Sequence, residues 1–192
     1  MQYALLGDLH SNKKQTKKVL AHIKAIAPDA TLIGLGDLFE ATIGKKKALT
    51  MRNVPLQEAA IYSETFEQLL TFPSVIGNQE ERIALVTGDT RFLNYPAEIA
   101  LPNATVIHGH QFEWDEHFYP TFPPFKTSLV FFGHSHRAAM YIDGVRTAVP
   151  LHEPIDVKDK TYIINVASVV ESAEWCLYNS DEMTVTFMQA TD

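Results

Sequence analysis

Within the first 38 residues two short apolar runs, at 3–6 and 31–35, each end in Gly-Asp and are separated by a stretch of helical periodicity. The stretch carries Val19, Leu20, Ile23, Ile26 and Ala27 on one face, and Pro28-Asp29 terminates it. Strand, amphipathic helix and strand make a βαβ unit, whose right-handed crossover leaves the two strands parallel and adjacent. A chain with this start is expected to be α/β, and its geometry brings Asp8 and Asp37 to the same edge of one sheet.

The pattern continues along the chain. Leu56, Ala59, Ala60, Phe66 and Leu70 predict a second amphipathic helix, and 74–76 a third short strand leading into Gly77-Asn78. A short helix is expected near 81–86, followed by strands at 97–101 and 104–107, the latter running into His108-Gly109-His110. Residues 111–126 are rich in aromatics and prolines and read as an ordered loop. Another strand, 129–132, ends in Gly133-His134-Ser135-His136. The remainder, at 137–142, 145–149, 161–166, 174–179 and 183–188, reads as short, mainly antiparallel strands between turns such as Asp143-Gly144 and Asn179-Ser180-Asp181. No internal repeat or linker divides the chain, so one domain over 1–192 is expected.

A chain of 192 residues with 46% hydrophobic and 20% charged residues can bury a core without disulfides or a structural metal. The lone Cys176 sits in an apolar stretch, which fits a reducing compartment and gives it no catalytic part. The start MQYALLGDLHSN has no basic region or cleavage site, and no apolar run reaches the length of a membrane span. A soluble, cytoplasmic protein with no membrane partner is therefore expected. The net charge of −7 argues against strong non-specific nucleic-acid binding. The one basic cluster, Lys45, Lys46 and Lys47 with Arg52 nearby, reads as a solvated loop.

Five apolar runs end in residues of metal-binding type: Asp8 and His10, Asp37, Asn78, His108, then His134 and His136. In α/β sheets the carboxyl ends of the strands gather in one place, so these endings predict one cluster. The pairs Asp8/His10 and His134/His136 have i, i+2 spacing, which lets each pair face one side of an extended segment. Three oxygen donors and four imidazoles exceed the needs of one catalytic zinc and suit two ions. The mixed set favours Mn, Fe, Zn, Co or Ni over Mg or Ca, and paired metals are a known device for in-line displacement at phosphorus.

The segments GDLHSN at 7–12, GDL at 36–38, GN at 77–78, HGH at 108–110 and GHSH at 133–136, in that order, resemble the five motifs of the calcineurin-like metallophosphoesterase superfamily. Length and spacing are most similar to the small prokaryotic YfcE-type phosphodiesterases, and the resemblance covers residues 1–170 or so. It implies an α/β fold of two packed mixed β-sheets flanked by helices. It also implies two divalent transition-metal ions, Mn first among them and Fe, Zn, Ni or Co as alternatives. By the same resemblance Asp8, His10, Asp37 and His136 hold the first ion, and Asp37, Asn78, His108 and His134 the second. Asp37 is then the bridge, a hydroxide between the ions is the nucleophile, and Asp37, Asn78 and His108 form the catalytic group.

Two positions depart from the family pattern. Gln79 stands where many members have a leaving-group histidine, and an amide donates a hydrogen bond but cannot act as a general acid near neutral pH. Val166-Ala167 replaces a usual Pro-Gly, at a turn that approaches the site. The expected activity is hydrolysis of a small or nucleotide-type phosphodiester, with substrate choice lying in the loops 40–55 and 111–126. A phosphomonoesterase, a dinucleoside polyphosphate hydrolase and a non-catalytic scaffold on the same fold are the alternatives, and a homo-oligomer is allowed. His110 reads equally well as pocket lining or as structure, His22 and His152 as structural or surface residues, and His117 and Tyr119 as possible stacking partners for a base.

Overall fold

The computed structural model describes residues 1–191. Two mixed sheets pack against each other. The first has the order Pro154–Asp156, Thr184–Gln189, Glu174–Asn179, Gln2–Leu6, Thr31–Gly34, and the second Val145–Thr147, Ala138–Ile142, Tyr162–Val166, Leu129–Phe132, Ala104–Ile107, Glu98–Leu101. Gln2–Leu6 and Thr31–Gly34 pair in parallel, as the βαβ reading requires, with Leu6 opposite Gly34. In the second sheet Leu129–Phe132 is parallel to both of its neighbours.

Strict alternation shows why these strands are apolar throughout. Tyr3 and Leu5 face the space between the sheets with Ile33, Leu129, Phe131 and Ile164. Ala4 and Leu6 face the other way, onto Val19 and Ile23 of the helix Lys13–Ile26. A strand buried on both faces must read as a continuous apolar run. Val130 and Phe132 on the outer face of the second sheet pack instead against Phe112, Trp114, Phe122 and Phe125, so much of the aromatic stretch at 111–126 covers that sheet.

The structure corrects several expectations. The long helix at 56–70 is two short ones, Leu56–Ala59 and Glu64–Glu67, with the strand Ala60–Ile61 between them pairing to Glu40–Ala41. Ser63 caps the second by accepting from the Phe66 amide, a start signal that the apolar spacing masks. The strand expected at 74–76 makes only one bridge, Ser74 to Gly34. Helix replaces loop at Lys45–Ala48, and the helix expected near 81–86 is longer, Asn78–Thr87. The aromatic loop holds a small hairpin, Glu113–Trp114 with Pro120–Thr121, and two further elements not foreseen are Pro154–Asp156 and Val169–Ser172. No helix among the described residues is long and apolar enough to cross a membrane.

Candidate metal centre

Asp8 follows Gln2–Leu6, Asp37 follows Thr31–Gly34, His108 follows Ala104–Ile107, and His134 and His136 follow Leu129–Phe132. The cluster thus forms where the carboxyl ends of two sheets meet, not at the edge of one. All seven sequence-predicted ligand residues come together there. Asp8, His10 and His136 form one group whose donor atoms lie within 4.8 Å of one another, and Asp37, His108 and His134 form a second. Asn78 joins the second group, its Oδ1 lying 3.2 Å from His108 Nε2. Asp37 Oδ2 stands between them, 3.9 Å from His10 Nε2 and 3.4 Å from His108 Nε2.

The backbone is unusual at this meeting point. Asp8, His10, Ser11, Asp37, His134 and His136 all have positive φ, between 46° and 72°. Left-handed backbone is uncommon outside glycine, and its concentration here marks turns held by their surroundings. Close approach is permitted by two glycines. A Cβ on Gly77 would lie 2.2 Å from the Asp37 amide nitrogen, and one on Gly36, whose φ is +87°, would lie 2.8 Å from His108 Nδ1.

Three of the imidazoles are held from behind. His10 Nδ1 bonds Glu40 Oε2, His136 Nδ1 bonds Glu171 Oε1 at 2.8 Å, and His108 Nδ1 donates to the Leu35 carbonyl at 2.6 Å. A histidine whose Nδ1–H is engaged presents Nε2 as a free lone pair, which is the arrangement metal-binding histidines use. The carboxylates divide their oxygens likewise. Asp8 Oδ2 accepts from the His134 amide at 3.0 Å while Oδ1 is buried without a hydrogen-bond partner, and Asp37 Oδ1 accepts from the Gln79 amide at 2.9 Å. An orphaned buried carboxylate oxygen is costly, and here it lies 3.5 Å from His136 Nε2 and 3.9 Å from His10 Nε2. The orphaned oxygen and the imidazoles facing it fit a divalent cation.

Electrostatics point the same way. Burial, followed by the charge of Asp37, raises the Asp8 carboxyl to about 6. Burial also works against the charged form of Asp37, but His108 outweighs it by charge and hydrogen bond and holds that carboxyl down to about 2. Burial would lower His108, yet Asp37 raises it to about 9; His134 is pushed down to about 4 by burial and by His108. A site holding this much buried charge of both signs is arranged for a ligand more than for stability.

Glu80 is the residue that sequence reasoning passed over. It is fully buried on the helix Asn78–Thr87. Its Oε2 accepts from the amides of Asp37 at 2.9 Å and Gly77 at 3.0 Å, and Oε1 from that of Phe39 at 3.0 Å. One side chain thus fastens the Gly-Asp turn to the helix that carries Asn78. Its signal was present: a Glu at the third helical position is half of a capping box. Glu40 and Glu171 were missed as well, since their parts depend on histidines 30 and 35 residues away.

Gln79 lines the cleft over the cluster. Its Oε1 accepts from the Ala41 amide at 3.2 Å and from Arg82 at 3.4 Å, which turns the amide NH2 free for other partners. His110 stays outside both groups, its Nε2 3.3 Å from Glu81. His22 is structural, accepting from the Trp175 indole at 3.1 Å. Ala167 takes φ 63°, the left-handed conformation that glycine adopts most readily.

A family model for the calcineurin-like phosphoesterase superfamily domain matches residues 1–174. Among solved structures, a metallophosphoesterase from Sphaerobacter thermophilus aligns with a TM-score of 0.67 and 19% identity, over 100% of this chain and 89% of that one. YfcE, a phosphoesterase from E. coli, aligns over 100% of both chains with a TM-score of 0.44 and 16% identity. At 19% identity the likeness to the Sphaerobacter thermophilus structure is one of fold. No curated protein matches the chain by sequence.

Proposed function

The chain belongs to the calcineurin-like phosphoesterase superfamily, and from that premise we propose that it is a dinuclear metal-dependent phosphodiesterase acting on small or nucleotide-type phosphodiesters. In this reading the whole chain is one catalytic domain. The observation that carries it is the position of Asp37 Oδ2, 3.9 Å from His10 Nε2 in one donor group and 3.4 Å from His108 Nε2 in the other. A single carboxylate oxygen so placed can serve two cations. Asp8, His10 and His136 would hold one ion, Asn78, His108 and His134 the other, and Asp37 both.

When bound, two transition-metal ions supply positive charge against the phosphoryl oxygens and make water a nucleophile near neutral pH. Manganese is the first candidate. The residues of the chain supply the rest. Glu40, Glu171 and the Leu35 carbonyl orient the imidazoles of His10, His136 and His108, which limits the reorganisation those donors would need on loading. Gln79 presents amide hydrogens that can bond an ester oxygen as charge builds on it. Because an amide transfers no proton at neutral pH, the arrangement suits esters whose leaving oxygen needs little protonation. Arg137 lines the same cleft and adds a cation for the phosphate. Hydrolysis then proceeds by direct displacement at phosphorus, with no covalent enzyme intermediate.

Hydrolysis of a chromogenic phosphodiester and the matching monoester, with Mn²⁺, Ni²⁺, Co²⁺ or Zn²⁺ added in turn, tests the reading. The diester is expected to be cleaved faster, and Asp37→Ala to abolish turnover. Activity that survives Asp37→Ala, or none with any of the four metals, rejects the proposal.

A further inference from the structure

A second cleft, of about 620 Å³, opens beside the metal cluster and shares Asn78, His134 and Phe118 with the cleft above it. Its lining differs in kind. Leu49, Leu85, Phe112, Trp114 and Phe118 all line it. Leu49 is 68% exposed, Phe118 58% and Leu85 40%. Scattered exposed apolar residues need no explanation, but three converging on one cleft beside a charged centre do. The volume lies within the range of small-molecule sites, which are mostly apolar with a few polar groups at one end.

The aromatic lining is held in place. The Trp114 indole donates to the Gly109 carbonyl at 3.0 Å, and its ring lies 5.4 Å from that of His134 and 5.8 Å from that of Phe118. Asp115 Oδ1 accepts from the His117 and Tyr119 amides at 2.9 and 2.8 Å, fixing the loop tip on which Phe118 stands with φ 60°. Trp114 therefore joins the second donor group to the apolar cleft as one rigid surface. A flat ring attached to a phosphoryl group at the cluster can reach that surface without leaving the cluster.

We infer that this cleft is a specificity subsite for a flat aromatic ester arm of the substrate, the base of a nucleoside or a simple aryl group. The inference rests on the reading of the cluster as a phosphoester site, and it names the class of ester that site prefers. Ring stacking and desolvation recognise the arm, so selectivity is for aromatic shape more than for a hydrogen-bond pattern.

Calorimetric titration of the Mn²⁺-loaded protein with methyl phosphate, phenyl phosphate and thymidine 5′-monophosphate tests this, with Trp114 fluorescence reporting the place of binding. Trp175 is fully buried and gives a constant background. An aromatic ester is expected to bind about ten-fold or more tightly than methyl phosphate, on the scale of one stacked ring. Leu85→Glu should remove that preference and Leu85→Met should keep it. Preference for both aromatic esters identifies a nucleoside arm as acceptable, and preference for phenyl phosphate alone an aryl arm. Equal affinities in the wild type, a preference that survives Leu85→Glu, or aromatic binding that leaves Trp114 fluorescence unchanged would overturn the inference. Turnover of methyl p-nitrophenyl phosphate, followed in parallel, separates the two readings. Aromatic-selective binding without turnover sinks the hydrolase and keeps the subsite, whereas turnover without selectivity does the reverse.

Discussion

Replacing Glu80 by Ala should destabilise the metal-free protein severely in mild acid and much less in mild alkali. The side chain accepts three buried amide hydrogens, from Asp37, Phe39 and Gly77. A buried donor left unsatisfied costs about 1–3 kcal/mol, so three together, discounted for partial relaxation and an entering water, cost about 3–6 kcal/mol. At roughly 2–4 °C per kcal/mol for a chain of this size, Tm should fall by about 10–20 °C. The opposing effect is also readable. Burial, followed by the charge of Asp37, raises the Glu80 carboxyl to about 7 from 4.5. A carboxyl with a raised folded-state pKa contributes stability that is present at low pH and lost as pH rises through the folded value, because the folded chain retains a proton that the unfolded chain has released. Between pH 5 and 8.5 that loss amounts to roughly 2–3 kcal/mol in the wild type, and the alanine variant escapes it. Thermal melts of both proteins in a chelator, at pH 5 and 8.5, should therefore show a gap that narrows by about half as pH rises. Equal Tm values at pH 5, or a gap that widens toward pH 8.5, would refute the argument. Glu80→Gln, keeping one carbonyl oxygen, should fall between the two.

Three further outcomes are expected. Ala167→Gly should raise Tm by roughly 2–3 °C, since relief of a left-handed alanine, about 1–2 kcal/mol, exceeds the extra chain entropy of glycine; a lowered Tm in the melt contradicts the strain reading. Metal uptake should release protons and tighten between pH 6.5 and 9, because burial alone would lower His108 but Asp37 raises it to about 9, and a ligating imidazole must lose that proton. Calorimetry in buffers of different ionisation enthalpy measures the release, and pH-independent affinity argues against His108 as a ligand. Gln79→Ala should slow turnover of a poor leaving group by about ten-fold or less, the scale of one hydrogen bond, whereas Asn78→Ala should weaken metal binding and remove most activity. Equal, severe losses in steady-state kinetics would assign Gln79 a larger catalytic part.

The parts of this protein that local chemistry controls were legible in the chain. Short apolar runs and a period-3.6 pattern identified the parallel pair Gln2–Leu6 and Thr31–Gly34 and the helix between them, since a strand buried on both faces reads as a continuous apolar run and side-chain direction along a helix follows from backbone geometry. The seven candidate donor residues that the fold brings together were legible for a similar reason: they stand at or just after the ends of apolar runs, and a polar side chain of ligand type in such a place is a local signal. Tertiary structure decided what depends on residues distant in sequence. The stretch at 56–70 has helical spacing, but pairing of Ala60–Ile61 to Glu40–Ala41 breaks it, because strand hydrogen bonds compete with intrahelical ones. Glu40 and Glu171 look like ordinary surface acids in the sequence and Glu80 shows there only as half of a capping box, so only packing sets the first two behind His10 and His136 and buries the third beneath Asp37. The aromatic stretch shows the division most plainly. Its composition read as an ordered loop, but only the fold laid Phe122 and Phe125 onto the second sheet and brought Phe112, Trp114 and Phe118 to the cleft beside His134.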